Sequence, residues 1–312
     1  MLEYLKENGS DTQKILFTGL DTAGKTSIIT TLKREFDKIA LLSPTRGAQR
    51  RVFEFLGMGI SEWDLGGQKS YRISYLKNPN KYFDNTEIAI YVIDIQDKER
   101  ISEAVSYLKD VTKKFEELEI KPPIYIFFHK LDPILLENAY NEYNTLLITL
   151  KQKLRTELNY DEIYFYETSI YDLSTIFKAM SEILLTLYPK SELIEKTIKE
   201  FAKKINSEGV VVIDDNSLLI GSYYDNNKIR EILTVSTPYF LTLNDSFRKA
   251  EDTKIKQRGH VIVERFNRFI IFTQITLREE SPPYYLLLVK ENPEYSKIDI
   301  ESFSNLLTEI LY

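Results

Sequence analysis

The stretch GLDTAGKT, from Gly19 to Thr26, has the G-x-x-x-x-G-K-T spacing of a phosphate-binding loop. The apolar run Ile15, Leu16 and Phe17 precedes it, and the helix-forming sequence SIITTLKREF follows it. In such a strand–loop–helix unit the glycines let the backbone turn tightly, and amide groups at the helix N-terminus point at phosphate oxygens. The stretch therefore predicts a nucleotide phosphate site and an α/β fold that begins with a strand.

Three side chains of this loop have predicted roles at the phosphates. Lys25 is expected to reach the β- and γ-phosphates, and Thr26 is expected to be a ligand of Mg²⁺. Asp21 places a negative charge near the γ-phosphate, so we do not expect it to help hydrolysis. Besides these three, the loop residues predicted to contact the nucleotide are Gly19, Leu20, Thr22, Ala23, Gly24 and Ser27.

From residue 14 to about residue 189, short β-branched apolar runs alternate with longer amphipathic stretches. This alternation predicts a helix-flanked, mostly parallel sheet. Gly57 and Gly59 bound a link too short for a crossover, so the second and third strands are predicted to form a hairpin with an antiparallel edge strand. The predicted strands are residues 14–19, 51–56, 60–65, 88–95, 124–129 and 162–167.

The sequence Tyr188-Pro189-Lys190-Ser191 is a predicted domain boundary, because proline disfavours helix in the residue before it and serine can cap a new helix. We therefore predict domains at residues 1–189 and 190–312. In the second domain the residue pattern predicts the order α-β-β-α-β-β-β-α. Its long helix, residues 227–250, is predicted to be interrupted at Pro238.

The composition favours an intracellular protein of two domains. The chain has 312 residues, no cysteine and a net charge of −6. It therefore cannot form disulfides or thiolate metal sites, and its acidity argues against nucleic acid as a partner. No apolar stretch approaches the roughly 20 residues that cross a bilayer, Leu2 stands where myristoylation needs glycine, and the C-terminal EILY is not a prenylation signal. We expect a cytoplasmic protein without a direct membrane anchor, which only a partner could bring to a membrane.

A second motif, WDLGGQ, ends another predicted strand. Its Asp64 can reach the Mg²⁺ shell through water, Gly67 can donate its N–H to the γ-phosphate, and Gln68 can orient the attacking water. Thr45 lies nineteen residues before Asp64 and is the candidate that binds Mg²⁺ through its hydroxyl only when GTP is bound. Lys25, Thr45 and Gln68 are the predicted catalytic residues.

A third motif, HKLD from His129 to Asp132, ends the fifth predicted strand. The Asp132 carboxylate can accept hydrogen bonds from guanine N1–H and from the exocyclic amino group, while Lys130 packs along the base. Adenine offers no such pair of donors, so an ATP-dependent kinase or ATPase is disfavoured. Ser169 and Ile170, past the last strand, are predicted to offer a backbone N–H to the guanine carbonyl oxygen. His129 is predicted to satisfy a local hydrogen bond near the base rather than to perform acid–base chemistry.

Together these motifs resemble those of the Ras-like small GTPases, in which asparagine usually stands at the position of His129. The GLDTAGKT and WDLGGQ stretches, with the spacing from Thr45 to Asp64, look like the Arf family. The HKLD motif, the TSIYD segment and the C-terminal half, including LREES at residues 277–281, look like the Rag/Gtr GTPases over nearly the whole chain. This resemblance implies a Ras-like GTPase domain with a six-stranded sheet, followed by a smaller roadblock/longin-like α/β domain. It also implies that two subunits pair through this second domain, as a homodimer or a heterodimer that recruits partners.

The expected activity is slow GTP hydrolysis by a GTP/GDP switch with Mg²⁺ as cofactor. Leu42 stands three residues before Thr45, where heterotrimeric α subunits carry arginine, so we expect no arginine finger within the chain. An activating protein would raise the rate by as much as about 10³- to 10⁵-fold, and an exchange protein would replace the nucleotide. The alternative is a nucleotide-dependent dimeric scaffold with negligible hydrolysis.

Overall fold

The computed structural model describes residues 12–250, 260–265, 267–278 and 282–312. The chain forms two compact units, one ending at Ile176 and the other beginning at Phe177. The predicted boundary near Tyr188 lies within the second unit, and the assignment of domain limits stays a prediction. Residues 279–281 of the LREES stretch lie outside the described residues. In the described ranges, no helix combines the length and the apolar character needed to cross a bilayer.

The first unit contains a six-stranded sheet with flanking helices. A short 3₁₀ turn, Lys98–Arg100, precedes its fifth helix, and its last helix crosses the division between the units. In chain order the elements are β1 (Thr12–Gly19), α1 (Lys25–Leu32), α2 (Phe36–Ile39), β2 (Ala48–Phe55), β3 (Met58–Leu65), α3 (Lys69–Lys77), α4 (Pro79–Tyr82), β4 (Ile88–Asp94), α5 (Ile101–Glu117), β5 (Ile124–His129), α6 (Pro133–Leu158), β6 (Ile163–Thr168) and α7 (Leu173–Thr186).

The strand order is β2-β3-β1-β4-β5-β6, and every neighbouring pair is parallel except β2 with β3. The predicted strands, the hairpin and its antiparallel edge strand are therefore confirmed. The apolar runs of β1, β4 and β5 are buried along nearly their whole length, as expected for central parallel strands. The strand β1 lies between β3 and β4. The strands that follow β1 in the sequence therefore lie first on one side of it, as β2 and β3, and then on its other side, from β4 to β6. Ligands of such sheets bind at the carboxyl ends of the strands beside this point.

The second unit contains a smaller, antiparallel sheet of five strands, which from one edge to the other are Leu219–Tyr224, Gly209–Ile213, Tyr284–Lys290, Arg268–Ile275 and His260–Arg265. The predicted succession of helices and strands is confirmed, as is the α/β class of the chain. Its elements after α7 are α8 (Ser191–Lys204), β7 (Gly209–Ile213), β8 (Leu219–Tyr224), α9 (Asn227–Ala250), β9 (His260–Arg265), β10 (Arg268–Ile275), β11 (Tyr284–Lys290) and α10 (Lys297–Leu311).

The prediction that the long helix is interrupted at Pro238 is wrong. The helix α9 continues through Pro238, although proline removes one helical hydrogen bond and normally kinks or ends a helix. Leu233 lies before the proline and Phe240 and Leu241 lie after it, and all three are buried in one apolar cluster of the second unit. Packing on both sides of the proline thus holds the helix together.

Candidate functional site

The phosphate loop follows β1 and leads into α1, as its sequence predicts. The Lys25 ammonium group is buried and donates to the carbonyl oxygens of Gly19, at 3.2 Å, and Leu20, at 2.7 Å. Burial lowers the pKa of Lys25 to about 8, and the negative charges of Asp64 and Asp21 oppose this shift. The loop therefore holds a desolvated cation, which favours the binding of a phosphate group beside it.

Three side-chain oxygens from separate parts of the chain meet next to this loop. Thr26 Oγ1 lies 2.6 Å from both Thr45 Oγ1 and Asp64 Oδ2, and Thr45 Oγ1 lies 3.3 Å from the same Asp64 oxygen. Asp64 Oδ1 is buried without a hydrogen-bond partner among the described residues. Hydroxyl and carboxylate oxygens are ligands that Mg²⁺ prefers, alongside water and phosphate oxygens. The three predicted metal ligands thus form one cluster that fits Mg²⁺.

The WDLGGQ stretch packs directly against the phosphate loop. A Cβ atom on Gly67 would lie 2.1 Å from the Asp21 backbone nitrogen, and a Cβ atom on Gly66 would lie 2.4 Å from the Thr45 carbonyl oxygen. Such approaches are open only to glycine. Gln68, which follows, is the N-cap residue of α3. The two glycines therefore allow Gln68 to lie beside the phosphate loop.

A cavity of about 190 Å³ opens between these segments. It is bounded by the phosphate loop, by residues 42–45 and by Gly67 and Gln68, which precede α3. Leu42 lines it, so an apolar side chain stands where heterotrimeric α subunits carry the arginine finger. The predicted site residues that line the cavity are Asp21, Thr22, Gly24, Lys25, Thr26, Ser27, Thr45, Gly67 and Gln68.

The HKLD motif is held by contacts with neighbouring strand ends. Ser169 Oγ donates to Asp132 Oδ1 at 2.5 Å, and Gln96 Nε2 donates to Asp132 Oδ2 at 2.9 Å. Lys130 Nζ donates to Asp94 Oδ2, also at 2.5 Å. These contacts fix the carboxylate that is predicted to read guanine and the lysine that is predicted to pack along the base.

His129 lies behind the phosphate loop rather than in the cavity. It is buried, and its Nδ1 lies 2.9 Å from Thr168 Oγ1, so the expected local hydrogen bond is present. Gly24 has a φ of +96°, in the left-handed region that favours glycine, and a Cβ atom there would lie 2.4 Å from His129 Cδ2. Burial, reinforced by the charge of Lys130, lowers the pKa of His129 to about 4, so its ring is neutral at pH 7.

Sequence reasoning missed three residues that support the site. Gln96 and Asp94 hold the guanine motif, and Arg100 forms an ion pair with Asp21 at 2.6 Å that compensates the negative charge of the loop. One signal was available, because Asp94 ends β4 at the same sheet edge as the phosphate loop. Gln96 and Arg100 lie in a connecting segment without a comparable pattern.

A mostly parallel sheet with a phosphate loop, an oxygen cluster and an HKLD motif at one edge defines a P-loop GTPase. A family model described as the Gtr1/RagA G protein conserved region matches residues 14–238. The chain belongs to this Gtr1/RagA family of G proteins, which are nucleotide-binding GTPases. The resemblance to the Rag/Gtr GTPases is therefore confirmed.

The two relatives that match most of the chain agree with this membership. The chain is 24% identical over 303 residues to Ras-related GTP-binding protein A of Dictyostelium discoideum, covering 94% of this chain and 98% of that protein. It is 25% identical over 298 residues to GTP-binding protein gtr1 of Schizosaccharomyces pombe, and this match covers 90% of this chain and 89% of that protein. A shorter match, 40% identical over 119 residues, joins 38% of this chain to 63% of ADP-ribosylation factor-like protein 3 of Chlamydomonas reinhardtii. The solved structure of the Arl6 BBS3 small GTPase from Trypanosoma brucei with bound GppNp covers 56% of this chain and 96% of that chain, at a TM-score of 0.43 and 19% identity.

Proposed function

We propose that this chain is a Mg²⁺-dependent GTP/GDP switch that hydrolyses GTP slowly and recruits partner proteins as a dimer. The observation that carries the proposal is the contact between Thr26, Thr45 and Asp64. Thr26 belongs to the phosphate loop, Thr45 to the segment before β2, and Asp64 to β3. Thr26 and Thr45 would hold Mg²⁺ through their hydroxyls, and Asp64 would hold it through water. When bound, the ion would neutralise charge on the phosphate oxygens.

Thr45 would make the site depend on the nucleotide state. It lies in a segment without helix or strand, next to the exposed Leu41 and Leu42. A residue in such a segment that binds the metal only with GTP orders the segment while the γ-phosphate is present. A partner that binds the ordered segment would therefore dissociate after hydrolysis.

Hydrolysis would use two residues that line the cavity, Gln68 and Lys25. Gln68 would orient the attacking water, and the Lys25 ammonium group would stabilise charge on the phosphates in the transition state. Leu42 supplies no positive charge at the γ-phosphate end. We therefore propose slow turnover by the chain alone, with an activating protein supplying the missing cation and an exchange protein renewing GTP.

Gln68→Leu tests the hydrolytic assignment, because leucine keeps the size of the side chain and removes the amide. We expect single-turnover GTP hydrolysis with Mg²⁺ to fall roughly 10-fold or more, with unchanged nucleotide affinity. Gln152→Leu, at an exposed glutamine on α6, is the matched control and should hydrolyse GTP normally. Unchanged hydrolysis in Gln68→Leu would favour the alternative, a nucleotide-dependent dimeric scaffold with negligible hydrolysis. Rapid turnover by the unmodified chain would contradict the need for an activating protein.

Pairing through the second unit is supported by two of its surfaces. Val235, Tyr239, Leu243 and Phe247 recur every four residues along α9, and each is at least 39% exposed. We call these four residues the α9 stripe. The strand β9 is one of the two outer strands of the described sheet and exposes Ile262, so its outer backbone groups can pair with another strand. We propose that both surfaces bind the second unit of another subunit, in a roadblock/longin-like dimer.

The mass of the purified chain in solution, measured over a range of concentrations, tests this pairing. We expect a dimer that Tyr239→Lys shifts toward the monomer, because a charge would be buried in the interface. Tyr140→Lys, at an exposed tyrosine on α6, should leave the mass unchanged. A monomer at every concentration would contradict a homodimer, and a dimer that forms only with a second chain would identify a heterodimer.

The partners and the cellular location of the switch are also part of the proposal. With a net charge of −6, we propose protein rather than nucleic-acid partners. We also propose a cytoplasmic location, with any membrane contact made through a recruited partner.

A further inference from the structure

A series of polar contacts joins two segments of the nucleotide site through residues that lie outside the cavity. Arg72 Nε donates to the Gly67 carbonyl oxygen at 2.8 Å, and Arg72 also forms an ion pair with Glu103. Arg100 Nε donates to the other Glu103 oxygen at 3.1 Å, and Arg100 Nη2 donates to Asp21 Oδ1 at 2.6 Å. We call Arg72, Glu103 and Arg100 the relay.

The relay and the backbone of the site form a closed ring of contacts. The ring closes where Gly67 packs against Asp21, at a distance that leaves no room for a Cβ atom. The Arg72 side chain is only 9% exposed, and its guanidinium lies 5.0 Å from the centre of the Tyr107 ring. Of the contacts in the ring, the one between Arg72 and Gly67 is therefore the least screened by solvent.

The carboxylates of Glu103 and Asp21 lie beside the two guanidinium groups of the relay. The hydrogen bond from Arg72 lowers the pKa of Glu103. Burial alone would raise the pKa of Asp21, but the hydrogen bond and the charge of Arg100 outweigh burial and lower it. Two carboxylates are therefore ionised beside two guanidinium groups at neutral pH, and each arginine is held at a defined place.

We propose that the relay holds the Gly67 backbone in position for the γ-phosphate, so that contacts outside the cavity set the preference for GTP over GDP. Arg72, Glu103 and Arg100 are positioning residues, since none of them lines the cavity. The inference rests on the proposed function, because it requires the Gly67 N–H to bind the γ-phosphate.

The physical reason is the cost of ordering a backbone segment at the moment of binding. A mobile Gly67 would lose conformational entropy when the γ-phosphate fixes it, and this loss would weaken GTP binding. The relay fixes Gly67 before the nucleotide arrives. GDP has no γ-phosphate, so its affinity does not depend on where Gly67 lies. Breaking the relay should therefore weaken GTP binding and spare GDP binding.

Glu103→Gln tests the relay, because glutamine keeps the shape of the side chain and removes the charge that binds both arginines. We expect the Kd of a non-hydrolysable GTP analogue with Mg²⁺ to rise about 3- to 10-fold, and the Kd of GDP to stay within about 2-fold. Glu116→Gln, at an exposed glutamate of the same helix α5, is the control and should change neither constant.

Arg100→Gln is a second test that does not depend on the folding of Glu103→Gln, since Arg100 is one-third exposed. It should also weaken binding of the analogue alone. The double variant should be no weaker than Glu103→Gln, because either change breaks the same series of contacts. Equal weakening of both nucleotides would show a purely structural role and overturn the inference, as would an unchanged preference in folded Arg100→Gln. An unmodified chain that bound neither nucleotide would overturn the proposed function itself.

Discussion

The end of β3 in the first unit and the turn after β7 in the second unit each contain a buried aspartate, and the two carboxylates have different partners. Asp64 accepts hydrogen bonds from Thr26 and Thr45, which lie 38 and 19 residues away in the sequence. Its second oxygen has no partner among the described residues. The hydrogen-bond partners of this carboxylate therefore come from distant segments of the chain, and its second oxygen can still bind a ligand.

Asp214 has partners only a few residues away. Its Oδ1 accepts the backbone N–H groups of Asn216, at 2.9 Å, and Leu218, at 2.7 Å. Such bonds close a turn between two strands. Burial, with the nearby charge of Asp215, raises the pKa of Asp214 to about 7. Burial alone therefore does not distinguish a binding site from a structural turn, whereas the origin of the partners does.

The largest expected effect that separates the two aspartates is on nucleotide binding. Asp64→Asn removes the charge that faces Lys25 and the proposed Mg²⁺ site, so we expect the affinity for GTP with Mg²⁺ to fall about 10³-fold. Titration of each variant with labelled GTP, with Mg²⁺ and with a chelator, measures the effect. Asp214→Asn is the matched control and should bind GTP normally. If Asp64→Asn retained Mg²⁺-dependent binding, the oxygen cluster would not be the metal site.

A smaller effect is expected on stability, and there Asp214 should respond to pH. Its pKa is raised by folding, so its contribution to stability is complete below about pH 4 and is lost as the pH rises through about 7. Asparagine cannot ionise, so Asp214→Asn should be more stable than the unmodified chain at pH 8, by on the order of 4 kcal/mol. The advantage should shrink toward zero at pH 4. Urea unfolding followed by circular dichroism at both values measures it, and an advantage independent of pH would contradict the assigned pKa.

The comparison also explains which parts of the molecule the sequence predicted. Thr26, Asp64 and Asp132 were found because each follows or ends a buried strand at a fixed spacing within a motif. The carboxyl ends of neighbouring parallel strands must lie at one edge of the sheet, so the motifs had to converge. The apolar runs predicted the strands of both sheets for a different reason, because strands that are buried in a core need apolar side chains.

The relay could not be predicted in this way. Arg72, Glu103 and Arg100 lie on α3, at the start of α5 and in the turn before it, and each looks like an ordinary charged surface residue in sequence. Their pairing depends on how these segments pack and on the side-chain conformations. The wrong prediction of a helix interruption at Pro238 has a similar origin, because packing on both sides of the proline outweighs its local preference against helix.

Pro238 also has a consequence for amide hydrogen exchange. Because proline has no N–H, the carbonyl of Thr234 lacks its usual helical donor, and α9 can open locally on either side of this point without opening on the other. The α9 stripe extends across this position, with Val235 before the proline and Tyr239 and the later members after it. A subunit that covers the stripe would join the two halves, and their amide protons would then exchange as one cooperative block.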